Sequence, residues 1–287
     1  MDISSDYLQR CAADTGFSIA TLEKVSRLGE VASNIARHPF LRDRLLLKGG
    51  TALNLCFGSP SRLSVDLDYN YVGHLDRLEM LRERPHIEAA VKELVSRLSY
   101  QVQGSAESFA GHVIYLNYRS VLGGQDQIKV DLSYLYRAPV PVPEECELWQ
   151  PGELDRPRIQ IVSKVELCVG KMLALLDRMA VRDVWDVGQL PSELQETVRT
   201  DGYKSWFVGF SAALNHPLGN YGRSRIEETL TPEIIDRMLA PMLVEKNQPD
   251  SQGLLDRMWD VMGPLLKLTE SEEEYIAEIH RGKLRAD

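Results

Sequence analysis

The stretch from Leu45 to Tyr71 leaves this chain few ways to fold. Leu45-Leu46-Leu47 is a short apolar run of the kind that forms a buried strand. Gly49-Gly50 follows, where the backbone can turn without a Cβ in the way. Thr51 stands where it can cap a short helix over residues 52–57. Beyond it, Ser64, Asp66, Asp68 and Asn70 alternate with Val65, Leu67, Tyr69 and Tyr71. A period of two is the mark of a strand, so Asp66 and Asp68 should project from one face.

That arrangement has two readings. A strand, a Gly-Gly turn and a helix N-terminus together expose backbone N–H groups to an anion such as phosphate. Two carboxylates on one strand face repel each other without a cation, and Mg²⁺ prefers carboxylate oxygens together with substrate phosphates. The plainer reading is a tight turn followed by a strand with a polar outer face.

The chain of 287 residues with 44% hydrophobic content can build one or two domains. No apolar run reaches about 18 residues, which argues against a transmembrane helix. The N-terminus lacks the basic and apolar regions of a secretory signal, so a cytoplasmic location is expected. Cys11, Cys56, Cys146 and Cys168 form no C-x-x-C pair and read as reduced thiols, not as a disulfide framework or zinc site. A net charge of −9 argues against a protein that coats nucleic acid generally, though not against one local basic cleft.

Residues 17–37 repeat apolar positions with helical spacing, from Ile19 through Leu22, Val25, Leu28 and Val31 to Ile35. Residues 75–98 read as a second helix, with an interruption possible at Pro85 and with Arg77, Arg82 and Arg84 mostly toward solvent. Strands are expected over 99–104, 112–119 and 127–133, the last two joined at Gly123-Gly124 as a hairpin. In the last of these Lys129, Asp131 and Ser133 share a face. The run from Ala138 to Pro143 is an extended connector, since three prolines exclude helix and central strand. The acidic residues Glu144 to Glu147 follow it, and residues 159–162 can supply a final strand. A lobe boundary is placed at 150/151, giving a first lobe over 1–150 and a helical second lobe over 151–287.

Ser163-Lys164-Val165-Glu166 has a capping-box pattern and opens an apolar helix. Lys171, Arg178, Arg182 and Asp186 recur seven, four and four residues apart, which returns them near one helical face unless the helix breaks between Arg178 and Arg182. A lysine and two arginines on one stripe suit nucleotide phosphates, or form an ordinary basic surface. Further on, Thr231-Pro232 marks a helix start, Trp206, Phe207 and Phe210 read as core, and the basic tail Arg281 to Arg285 as solvated.

The Gly-Gly-Thr turn followed by Ser-x-Asp-x-Asp resembles the nucleotidyltransferase superfamily. The particular form K-G-G-T-A-L…R-x-S-x-D-x-D, with K-M-L-A-L-L-D-R and R-D-V-W-D, resembles the AbiEii/AbiGii toxin family of type IV toxin–antitoxin systems over residues 40–190. The resemblance implies an α+β fold, a nucleotidyltransferase-like mixed sheet with helices followed by a mostly helical lobe that completes the nucleotide cleft. It implies a Mg²⁺-dependent enzyme that uses a nucleoside triphosphate, with Asp66, Asp68 and Asp131 at the metal and Asp131 alternatively as general base. Gly49, Gly50, Thr51, Ser64, Lys171, Arg178 and Arg182 would hold the nucleotide, and Lys171 and Asp186 would act in the reaction. It further implies an RNA acceptor, a tRNA 3′ end in some relatives, and a cognate antitoxin. A small molecule or protein side chain as acceptor, and a degenerate module that only binds nucleotide, are the alternatives.

Overall fold

The computed structural model describes residues 3–104, 108–244 and 250–283. The chain divides into two compact units, one of Met1–Ser163 with Met242–Lys246 and one of Lys164–Pro241 with Asn247–Asp287.

The first unit is built on a seven-stranded mixed sheet. Its elements are helix α1 (Ser5–Thr15), helix α2 (Ile19–Arg37), strand β1 (Leu45–Lys48), helix α3 (Gly49–Leu55), strand β2 (Asp66–Tyr71), helix α4 (Arg77–Arg97), and strands β3 (Gln101–Gly104), β4 (Gly111–Arg119), β5 (Gln125–Ser133), β6 (Glu144–Glu147) and β7 (Arg158–Ile161). The strands run in the order β3-β4-β5-β2-β1-β7-β6. β2 is therefore central, antiparallel to β1 on one side and parallel to β5 on the other. Alternate residues of β2, β4 and β5 are buried, among them Leu67, Tyr69, Ile114, Leu116, Ile128, Val130 and Leu132. Helix α2 presents Leu22, Val25, Leu28, Val31 and Ile35 to that core. Each such side chain fully removed from water stabilises the fold by about 2 kcal/mol.

Buried charge on α2 is matched. Glu23 pairs with Arg27, accepts from the Ser120 hydroxyl at 2.8 Å and from the Val121 N–H at 3.2 Å, and so fixes the β4–β5 hairpin. The Arg27 guanidinium lies 4.0 Å over the Tyr118 ring.

Several expectations change on the structure. α4 runs unbroken through Pro85, which is exposed; the carbonyl that loses its donor there can face water. Arg84 does not face solvent but pairs with the buried Glu88 at 2.8 Å, and Glu88 binds the buried His112 at 2.6 Å. The acidic run Glu144–Glu147 is an edge strand, and α1 is an additional helix. Cys56, which ends α3, is bonded to Cys146 of β6 with 5.7 Å between Cα atoms, whereas Cys11 and Cys168 are free and buried. The pairing of β6 with β7, and β7 with β1, is what brings the two distant cysteines together.

The second unit is helical. It contains α5 (Lys164–Arg178), α6 (Val181–Gly188), α7 (Ser192–Val198), α8 (Tyr203–Phe210), α9 (Arg223–Glu227), α10 (Pro232–Met238), α11 (Ser251–Leu265) and α12 (Glu270–His280). Thr231 caps α10 ahead of Pro232, as its sequence suggests. Of the aromatic trio, Phe207 is fully buried while Trp206 is partly exposed. Leu284 and Arg285 of the basic tail lie outside the described residues. No helix among the described residues is long and apolar enough to cross a membrane.

Candidate active site

The first cluster is written by strand register. In the parallel β2–β5 pair, Asp66 stands opposite Lys129 and Asp68 opposite Asp131. In the antiparallel β1–β2 pair, Lys48 stands opposite Asp68. Side chains alternate along a strand, so Lys48, Asp66, Asp68, Lys129 and Asp131 occupy one face of three adjoining strands. The apolar partners Leu67, Tyr69, Val130 and Leu132 fill the other.

Charge on this face is held in tension. Burial pushes the Asp68 carboxyl above its usual range; Asp66 and Asp131 push the same way, and Lys129 and Lys48 oppose them. Lys129 bonds to Asp131 at 3.0 Å. Burial disfavours the Lys129 ammonium, but the hydrogen bond and charge of Asp131, with Asp68 and Asp66, outweigh it and hold its pKa up. The donor set and the raised Asp68 suit a divalent cation, because added positive charge relieves the repulsion among the carboxylates. In this arrangement Asp131 is turned to Lys129, and among the described residues no three His, Cys, Asp or Glu side chains already converge around one metal position.

The turn packs directly against these carboxylates. Gly49 has φ +72°, and a Cβ there would come 2.5 Å from Asp68 Oδ2. A Cβ on Gly50 would meet Ser64 Oγ at 2.9 Å and Arg62 Nη2 at 3.1 Å. Gly49 is thus required by its backbone conformation and close approach, whereas a side chain at Gly50 would have to displace Ser64 and Arg62. Helix α3 begins at Gly49, earlier than expected, with Lys48 at its N-cap. Thr51 is a buried helical residue and not a cap; its hydroxyl donates to the Asp66 carbonyl and braces the start of β2. Ser64 and Arg62 are buried beside the turn. Arg62 Nη1 donates to the Leu63 carbonyl at 3.0 Å, and Arg62 bridges to Leu243.

The second cluster lies within the helical unit. The α5 helix stops at Arg178, Met179 takes a positive φ of 48°, and α6 restarts at Val181. This break folds α6 back so that Lys171 Nζ sits 2.9 Å from Asp183 and 2.8 Å from Asp186. The Lys171, Asp183 and Asp186 side chains are 5%, 1% and 0% exposed. Arg178 reaches Asp183 with two nitrogens, at 2.6 and 2.9 Å, from a side chain 60% exposed. Burial pushes Asp183 up, but the Arg178 hydrogen bond and the charges of Lys171 and Arg178 outweigh it and hold the carboxyl below its usual range. Two cations and two anions cancel, which is what permits the cluster to be buried. Arg182 is half-buried and stands outside this network.

Within each unit, then, the structure brings together Gly49, Gly50, Ser64, Asp66, Asp68 and Asp131, and separately Lys171, Arg178 and Asp186. Sequence reasoning gave no role to Arg62, Lys129 or Asp183. Lys129 was visible on the Asp131 face but not as its partner. Asp183 stands three residues before Asp186, a spacing that puts both carboxylates on one side of a short helix.

Comparison with known proteins adds a fold and a family. No curated protein matches the chain. Among solved structures, the chain is similar to MenT4, a nucleotidyltransferase toxin from Mycobacterium tuberculosis H37Rv, at 16% identity and a TM-score of 0.63, covering 98% of each chain. That likeness is one of fold. JHP933 from Helicobacter pylori gives 15% identity and a TM-score of 0.49, covering 92% of this chain and 99% of that one. Residues 34–260 match the family described as nucleotidyl transferase AbiEii toxin, type IV TA system. With its carboxylate strand, glycine turn and helical Lys-Asp cluster inside that span, the chain belongs to the AbiEii family of nucleotidyltransferase toxins.

Proposed function

We propose that this nucleotidyltransferase toxin moves a nucleoside monophosphate from a nucleoside triphosphate to an RNA acceptor, the 3′ end of a tRNA, in the cytoplasm, and that a cognate antitoxin restrains it. The observation that carries the site is the register of β2 with β5, which sets Asp131 beside Asp68 on the face that also bears Asp66. Asp66 and Asp68 would hold Mg²⁺, with Asp131 as third ligand or as base. When bound, that ion neutralises triphosphate charge and orients the reacting oxygens.

The chain's own residues supply the rest. The backbone N–H groups of Gly49 and Gly50 face phosphate oxygens, and Thr51 and Ser64 keep that turn against β2. The acceptor hydroxyl oxygen bonds to the α-phosphorus, the bond to the bridging oxygen breaks, and pyrophosphate leaves. In the base role, Asp131 takes the hydroxyl proton. In the helical unit, Lys171 is held by Asp183 and Asp186, and the positive charge of Lys171, Arg178 and Arg182 is what we assign to binding nucleotide phosphate.

The net charge of −9 favours a second reading of the acceptor, a small molecule or protein side chain, over a broad RNA-binding surface. One experiment separates them. The protein is incubated with total tRNA, Mg²⁺ and each α-³²P-labelled nucleoside triphosphate in turn. Label in tRNA that disappears in Asp66→Ala supports the proposal and names the base. Pyrophosphate release without labelled RNA moves the acceptor to the second class.

A further inference from the structure

The carboxylate face already contains a cation. Lys129 is the cross-strand neighbour of Asp66 and bonds to Asp131, itself the cross-strand neighbour of Asp68. Its ammonium therefore stands among all three carboxylates that the proposed reaction assigns to metal. The pair differs in kind from the second cluster. There, Lys171 is sealed between two buried carboxylates; here, Lys129 and Asp131 are 31% and 32% exposed. A half-exposed pair is held weakly, and a lysine head on a four-carbon stem can leave its partner at little cost.

We infer that Lys129 is the resident counter-cation of this face and that a divalent ion binds there in competition with its ammonium. The inference rests on the reading of Asp66, Asp68 and Asp131 as a metal site. Three carboxylates on adjoining strands would repel one another in the ion-free protein, and Lys129 offsets that repulsion from within the cluster. The same charge opposes an incoming ion. At about 5 Å, in water-like dielectric, a divalent ion and an ammonium repel enough to weaken binding about tenfold. Lys129 is thus a positioning residue: it keeps the ligands together until the ion replaces it, and it sets how much free ion is needed.

The test uses the full chain and Mn²⁺ alone, with binding followed by the electron paramagnetic resonance signal of free Mn²⁺ and stability by thermal melting. Lys129→Met should bind Mn²⁺ about tenfold more tightly than wild type, while Lys129→Arg, which keeps the charge, should bind like wild type. In EDTA, Lys129→Met should melt lower than wild type, and saturating Mn²⁺ should shrink or reverse that deficit. A purely structural lysine would give equal affinities and the same deficit with and without Mn²⁺, and that result overturns the inference while leaving the metal site standing. If neither protein binds Mn²⁺, the metal reading and the inference fall together.

Discussion

Asp183 is the carboxylate that joins both cations of the helical cluster. It is 1% exposed and accepts three hydrogen bonds, one from Lys171 and two from Arg178. Replacing it with Ala removes them unequally. The Lys171 bond is buried and charge-assisted, worth about 1.5–3 kcal/mol. The Arg178 bonds come from an exposed guanidinium that can turn to water, so they add about 0.2–1 kcal/mol. Lys171 keeps Asp186, which spares the full cost of an unpaired buried charge. The expected loss is therefore about 2–4 kcal/mol. Lys171→Met should cost about 3–5 kcal/mol, because it strips a cation from two buried carboxylates. The two changes share one contact, so the double variant should lose less than their sum by about 1.5–3 kcal/mol. Urea unfolding followed by tryptophan fluorescence reads this unit well, since Trp185, Trp206 and Trp259 belong to it and Trp149 does not. A coupling energy below about 0.5 kcal/mol would refute the buried-pair reasoning. The pH dependence has a fixed sign. A carboxyl held below its unfolded value of 3.8 stabilises the fold above that pH and stops doing so as pH falls through its folded value. The gap between wild type and Asp183→Asn should accordingly be full at pH 6 and begin to narrow only as pH falls below the unfolded value of 3.8.

Other outcomes follow from the carboxylate face and the turn. Asp66→Ala should abolish transfer in the labelled-nucleotide assay while leaving the circular dichroism spectrum and melting temperature near wild type. Asp68→Asn should do the same to activity and leave ion-free stability unchanged or raised, because it removes one of the charges that Asp66 and Asp131 oppose; a stability loss above about 1 kcal/mol in a urea melt would count against that electrostatic account. Gly49→Ala forces a Cβ onto a positive φ and toward Asp68 Oδ2. It should cost about 1–2 kcal/mol in a urea melt, and transfer rates should fall more than stability alone explains.

Much of this was legible in the sequence where one physical rule acts alone. β4 and β5, and β2 from Asp66 to Tyr69, are buried on one face and more open on the other, and alternation reports that directly. The break between Arg178 and Arg182 was readable as a possibility from their spacing. What it achieves was not, because the return of Asp183 onto Lys171 depends on a single positive φ at Met179. β6 was hidden for a different reason: an edge strand half in water needs no apolar face, so Glu144–Glu147 carries no strand signal. α1 buries only Leu8 and Cys11, too few positions to set a helical period. Pro85 misled in the opposite direction, since α4 carries it at an exposed position without breaking. Asp131 was placed on the correct face of β5, yet only pairing with β2 makes it a neighbour of Asp68.

The bridge between Arg62 and Leu243 has a temporal meaning. The Leu63 N–H donates to the Met242 carbonyl at 2.9 Å, and a Cβ on Gly16 would press on Val244 at 2.6 Å, so a late segment is built into the carboxylate-bearing unit. A ribosome adds residues in order, and residues near 243 emerge after most of the chain has been made. The Leu63–Met242 hydrogen bond and the Arg62–Leu243 bridge can therefore form only once the span from Lys164 to Pro241 has been made. A product ending before Met242 would lack both contacts, and the loop ahead of the strand that carries Asp66 and Asp68 would be without its late partner.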